Sequence, residues 1–169
     1  IEDNDNCIWI NRGEEGIYRL SPDGQTRLFQ NKEESGANIV SLCKDIQGNI
    51  YAGSTNKGLL KFDKQKDQFI SIPYRENQEI PLRSLYADEE GNIHLCTDGK
   101  GVKIYNSRTG EMKDYTFDGN LDPGSLKIHH TIKDHAGNQW LAIYQKGVAM
   151  IPATSSNFNY IGHKSIQNN

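Results

Sequence analysis

One unit recurs four times along this chain, and any fold must accommodate that repetition before anything else. The copies read "EDNDNCIWINRGEEGIYRL" from Glu2, "KDIQGNIYAGSTNKGLLKF" from Lys44, "ADEEGNIHLCTDGKGVKIY" from Ala87 and "KDHAGNQWLAIYQKGVAMI" from Lys133. Their anchoring aspartates are Asp3, Asp45, Asp88 and Asp134, separated by 42, 43 and 46 residues. Within the unit the spacing is constant. Six residues after each Asp comes an aromatic or a His: Trp9, Tyr51, His94, Trp140. Thirteen after comes a glycine: Gly16, Gly58, Gly101, Gly147. Length varies only between units.

Each part of the unit has a physical role. Asp-x-x-Gly-Asn is turn chemistry: the carboxylate accepts backbone N–H groups across the turn, and Gly supplies the positive φ other residues resist. The runs before it ("NIVSLCKD", "PLRSLYAD") and after it ("NIYAG") read as two strands of a hairpin. A second polar loop follows, and its Gly starts a third strand: "GIYRL", "GLLKF", "GVKIY", "GVAMI". A weaker fourth strand falls at "TRLFQ", "QFISIP", "MKDYTF" and "FNYIG". No useful helical period is present. Four short antiparallel strands per unit describe the blade of a β-propeller, whose neighbours cover both of its faces. The expected architecture is therefore all-β, with about four four-stranded antiparallel blades at approximately 1–37, 38–80, 81–125 and 126–169. A β-solenoid would need a shorter rung, and a β-sandwich gives no reason for four copies of one motif.

Composition agrees with many short strands and turns. The 169 residues include 16 Gly and 16 Asn, and 35% are hydrophobic. No run approaches the ~18 apolar residues of a membrane helix, and no basic start with an apolar core reads as a signal peptide. A net charge of -3 with scattered Lys and Arg gives no reason to expect nucleic acid or direct membrane contact. Cys7, Cys43 and Cys96 lack metal-ligand spacing and read as small buried side chains.

The unit resembles the two-component regulator propeller repeat, from Glu2 to about Gly162. Repeats two to four match best. Repeat one has Asn6 and Cys7 in place of Gly-Asn, and His94 replaces the usual Trp of repeat three. The resemblance implies a piece of a seven-bladed propeller from the periplasmic sensor region of an inner-membrane hybrid two-component regulator of the Bacteroides type. It implies a non-catalytic segment with no cofactor. The ligand would be an oligosaccharide, and the partners would be the rest of the propeller, the adjoining ectodomain and a second copy of the full-length protein. Repeat one begins at the tail of its first strand, so that strand is expected to be missing and the outer faces of the first and last blades to be exposed. A propeller scaffold for protein–protein interaction, or a propeller lyase or hydrolase, are the alternatives.

Ligand contacts are expected on the face carrying the loops between second and third strands, at Asn11 to Glu15, Thr55 to Lys57, Asp98 to Lys100 and Tyr144 to Lys146, and on the inter-blade segments near 30–38, 74–81 and 117–127. From those loops come Arg12, Lys57, Lys100, Tyr144 and Lys146, three of them lysines in equivalent places that suit acidic sugars. The first strand adds Arg83, His129 and His130, with Ser41 and Ser84 in the slot His130 fills. His129 and His130 are expected on opposite faces of their strand, a poor metal pair. Trp9 and Trp140 are expected in the inter-blade core. "DGNLDPGSLKIH" from Asp118 lacks the Gly and Glu of a calcium loop and reads as a turn. No motif of a nucleophilic or metal hydrolase is present.

Overall fold

The computed structural model describes residues 1–29, 37–74, 79–116 and 125–153. Among these residues fourteen strands form four antiparallel sheets, one per repeat. The first holds β1 (Ile8–Asn11), β2 (Ile17–Leu20) and β3 (Thr26–Phe29). The second holds β4 (Ile39–Lys44), β5 (Ile50–Ser54), β6 (Gly58–Asp63) and β7 (Gln68–Ile72). The third holds β8 (Leu82–Ala87), β9 (Asn92–Thr97), β10 (Val102–Asn106) and β11 (Met112–Asp114), and the fourth β12 (Ile128–Lys133), β13 (Gln139–Ile143) and β14 (Gly147–Ile151). Every connection inside a sheet is a hairpin between neighbours. Blade one has three strands and only a bridge between Glu2 and Ile8 where an inner strand would lie. The fourth strand expected at "FNYIG" lies outside the described residues.

The turn at each anchoring Asp explains the constancy of the repeat. One carboxylate oxygen accepts two backbone N–H groups: Asp45 from Gln47 (2.9 Å) and Asn49 (2.8 Å), Asp88 from Glu90 (3.0 Å) and Asn92 (2.8 Å). Asp3 and Asp134 do the same with Asp5 and Cys7, and with Ala136 and Asn138. The turn's tight bend requires positive φ, met by Gly48, Gly91 and Gly137 and, in repeat one, by Asn6 at φ 57°. Asn tolerates that region better than most residues, which is why the departure in repeat one leaves the turn intact.

The other carboxylate oxygen reaches the residue six positions on. Trp9 Nε1 donates to Asp3 at 2.7 Å, the Tyr51 hydroxyl to Asp45 at 3.3 Å, and Trp140 Nε1 to Asp134 at 2.9 Å. His94 Nε2 stands 2.9 Å from Asp88. In the first three repeats this position is thus packed between blades by its ring and tied to its own turn by its polar edge, the usual arrangement for a buried amphipathic ring. Burial would raise the Asp88 carboxyl, but the hydrogen bonds from His94 and Asn92 outweigh it and hold it well below the ordinary range.

Three apolar clusters lie between consecutive sheets. The first joins Trp9 and Ile17 to Ile50, Ala52, Leu60 and Phe62, with Trp9, Phe29, Phe62 and Phe69 in mutual ring contact at 4.7–5.9 Å. The second packs Tyr51 and Leu59 against Leu85, Ile93, Leu95 and Tyr105, and the third Cys96, Val102 and Ile104 against Ile128, Leu141 and Ile143. Such a stack buries both faces of the middle blades, so β5 is buried at every position although its side chains alternate between faces. The three cysteines are buried and unpaired, as expected. Trp140 departs from expectation: it is 38% exposed, because no described residue covers that face of the last sheet as β10 and its neighbours are covered.

Candidate functional site

Strands β4, β8 and β12 are the first strand of their sheets and lie side by side, placing the same positions of successive repeats next to one another. Each contains a bulge at the same place, between Ile39 and Ser41, Leu82 and Ser84, and Ile128 and His130. The extra residues are Val40, Arg83 and His129, all exposed. A bulge puts two residues opposite one and re-aims side chains. His129 sits unpaired on the bulge with its ring on Tyr144, while His130 pairs with Ala142 and reaches Ser84 of the neighbouring blade.

The loop after each second strand is anchored to the start of this inner strand by one backbone bond. Thr55 donates to Asn38, Asp98 to Pro81 and Tyr144 to Lys127, all at 3.0–3.1 Å. This repeated tie brings the loop candidates and the bulge residues to one end of the sheets. At blades three and four they converge. Arg83 Nη2 lies 2.6 Å from one oxygen of Asp98, and Lys127 Nζ lies 3.4 Å from the other. Lys127 Nζ also stands 5.8 Å from the centre of the Tyr144 ring, and the His129 ring packs at 5.4 Å on the same ring. Tyr144 is 47% exposed. The Arg83 guanidinium holds the Asp98 carboxyl below its ordinary range. Lys100 follows in the same loop, exposed, its backbone N–H bound to Thr97 Oγ1.

The remaining candidates are dispersed. Arg12 pairs with Glu15 at 3.2 Å and stacks on Tyr18. Lys57 pairs with Glu79 at 3.5 Å beside a cleft of about 300 Å³ floored by Leu59, Ile72, Leu82 and Leu95. Lys146 is an exposed loop residue whose backbone N–H caps Ile143. His130 Nδ1 lies 3.0 Å from Ser84 Oγ, and Ser41 Oγ accepts the Leu85 N–H at 3.1 Å, so this slot braces neighbouring inner strands. The inter-blade segments fall largely on 30–36, 75–78 and 117–124, outside the described residues, as does most of the segment from Asp118.

Sequence reasoning did not single out Lys127, which lies outside the repeat motif, or Asp98 as the group that gathers Arg83 and Lys127. The pair was readable only as an acidic loop residue beside an unassigned basic one. What the arrangement offers is an exposed aromatic face flanked by cations and one carboxylate, groups that stack on a pyranose ring and hydrogen-bond its hydroxyls. Among the described residues no three His, Cys, Asp or Glu side chains are grouped to hold a metal ion.

Four stacked antiparallel sheets of this kind are consistent with a β-propeller segment, and solved structures share that fold. No protein-family model matches the chain, and no curated protein matches it. The extracellular domain of BT3049 of B. thetaiotaomicron, described as a hybrid two-component system, superposes with a TM-score of 0.69 at 21% identity over 89% of this chain. Two structures of the extracellular domain of BT4673 from the same organism, described as a one-component and as a hybrid two-component system, give 0.65 and 0.64 at 21% and 22% identity. This chain spans only 19% to 20% of those three chains. At such identity the likeness is one of fold. It falls on the same class of protein that the repeat resembles.

Proposed function

We propose that this chain is a non-catalytic segment of the periplasmic sensor region of an inner-membrane hybrid two-component regulator, and that it contributes to binding an oligosaccharide. Support comes from two independent directions: the internal repeat, and the fold shared with extracellular domains of Bacteroides two-component systems. In this reading a bound sugar changes how blades pack, and the adjoining ectodomain of a dimeric full-length protein relays that change across the membrane.

The observation that carries the binding role is the convergence of Tyr144, Arg83, Asp98 and Lys127 at the loop end of blades three and four. The exposed Tyr144 ring supplies a stacking face. Arg83 and Asp98 fix each other as a donor–acceptor pair for ring hydroxyls. A panel of neutral and acidic oligosaccharides titrated into the 169-residue chain by calorimetry tests it. At least one sugar is expected to bind, without turnover, and Tyr144→Ala should weaken it ~10-fold or more, the loss of one stacking contact worth about 1.4 kcal/mol. No binding across the panel, or binding indifferent to Tyr144→Ala, overturns this assignment.

A further inference from the structure

One interface inside the stack lacks a ring that the other two contain. In each blade the apolar residue after the repeat's glycine lies opposite a fixed position at the end of the outer strand. Register pairs Ile17 with Phe29 in blade one and Leu59 with Ile72 in blade two. In blade three the Tyr115 N–H donates to the Val102 carbonyl at 3.0 Å. Phe29 packs on the apolar cluster between blades one and two, and Tyr115 on the one between blades three and four. Between blades two and three the position is Ile72. The floor is otherwise built like that of the next interface, with Leu82 and Leu95 where Ile128 and Leu141 stand there.

A cleft of about 300 Å³ opens at this point, within the lower range of small-molecule sites. A dry apolar cavity of roughly 150 Å³ holds a benzene ring, so there is room for one ring and a short polar arm. Both blades that build the cleft lie inside the stack, away from its two outer faces. The floor is Leu59, Leu82 and Leu95, all buried. Tyr74 forms a wall and is held from blade three: its hydroxyl donates to Asp114, and Lys103 Nζ, 2.9 Å from the same carboxylate, lies 5.5 Å from the ring centre. Lys57 and Glu79 also line the cleft, and they differ in how they are held. The Lys57 side chain is 21% exposed and that of Glu79 49%. Their separation of 3.5 Å exceeds the ~2.7–2.9 Å of a charge-assisted hydrogen bond. The cation is the held partner, and the carboxylate is the one that can swing into water.

We propose that this cleft binds a small aromatic carboxylate, its ring in the space that Phe29 and Tyr115 fill at the other interfaces and its carboxylate on Lys57 Nζ in place of Glu79. Burial on the leucine floor stabilises the ring. Lys57 favours an anionic arm over a neutral or cationic one. A ring seated there touches both blades, so its binding stabilises the packing of blade two on blade three. The site is separate from the one at Tyr144 and does not rest on the sensor reading.

Titration of phenylacetate into the full 169-residue chain, followed by backbone amide chemical shifts, tests it. The acid is expected to bind with a Kd of ~1 mM or tighter, with shifts centred on Gly58, Ile72 and Leu82. Phenethyl alcohol and phenethylamine, which carry the same ring without a negative charge, should bind at least ~10-fold more weakly. Ile72→Phe puts the missing ring back and should abolish binding. Lys57→Gln should weaken the acid ~10-fold and leave the alcohol unchanged. Tyr144→Ala should change nothing, so this site and the sugar site can fail separately. If circular dichroism shows Ile72→Phe unfolded, the wild-type shift map and Lys57→Gln decide. No binding at ~10 mM acid, well above the expected Kd, overturns the proposal. So do equal binding of the amine, shifts centred elsewhere, binding that survives Ile72→Phe, and an acid affinity indifferent to Lys57→Gln.

Discussion

Replacing Asp88 with alanine tests the role of a buried turn carboxylate that holds both its own hairpin and, through Lys133, the next blade. Asp88 is 3% exposed and gathers groups from two blades. From its own blade come the N–H groups of Glu90 and Asn92, the Asn92 amide at 3.2 Å and His94 Nε2 at 2.9 Å. Lys133 Nζ reaches it from blade four at 3.3 Å. In Asp88→Ala, Lys133 keeps Glu90, at 3.1 Å. The Asn92 N–H and the buried His94 edge keep nothing. A buried donor stranded in this way costs about 1–3 kcal/mol, and the buried His94 edge, the half-buried Asn92 N–H and the lost charge–dipole contacts together predict a loss of about 3–5 kcal/mol, the range for breaking a buried charged network. Asp88→Asn keeps one oxygen for the backbone donors but turns an amide N–H₂ toward His94, predicting about 1.5–3 kcal/mol. Urea unfolding followed by near-ultraviolet circular dichroism measures both. The pH dependence gives a second readout. Because the folded-state carboxyl is held down, the unfolded chain binds the extra proton first. The stabilisation is fully present above pH ~4 and lost as pH falls through the lowered folded value. Wild type should therefore lose stability below pH ~4 more steeply than Asp88→Ala. An Asp88→Ala chain within ~1 kcal/mol of wild type at pH 7, below the cost of one stranded buried donor, refutes the reasoning.

Two further substitutions or probes follow from particular contacts. Gly16 has φ 112°, and a methyl group there would stand 2.5 Å from the Phe29 carbonyl oxygen, a backbone atom, so Gly16→Ala should cost at least ~2 kcal/mol in a denaturant melt. Burial pushes the Cys43 thiol up to about 12 and the Cys96 thiol to about 11, so neither should react with a thiol-specific disulfide reagent at pH 8 until the chain unfolds.

Period and turn chemistry made the blades legible. Strands two and three of all four repeats, and strand four of the first three, fall where the Asp-x-x-Gly-Asn turns and the following Gly put them, because those residues fix chain reversals locally. The clasp between Asp and the residue six on was not read, since pattern reasoning assigns side chains to faces and is silent about what their tips touch. One signal was present. Trp9, Tyr51, His94 and Trp140 all carry a hydrogen-bond donor on the ring, and phenylalanine, equally apolar, never stands there although the chain has 5. The bulges were illegible for a different reason. Nothing in "KIHHTIK" or "PLRSLYA" marks an extra residue, and only pairing with β13 and β9 reveals it. The gathering of Arg83, Asp98 and Lys127 depends on that bulge and on the backbone tie at Asp98, both tertiary, so no spacing rule would have produced it.

The bulges have a consequence for assembly of the stack. Strands β4, β8 and β12 each leave one backbone edge unpaired beside a neighbour of the same kind, an invitation to zip into one continuous sheet. Two strands interrupted at the same point cannot align their donors and acceptors through the interruption, and the serine hydroxyl of β4 already occupies the Leu85 N–H. The irregularity thus keeps successive blades as separate sheets that meet through side chains. A chain that repeats its own sequence risks pairing one copy's free edge with another's, and the bulge in each of β4, β8 and β12 keeps that edge from serving as a template.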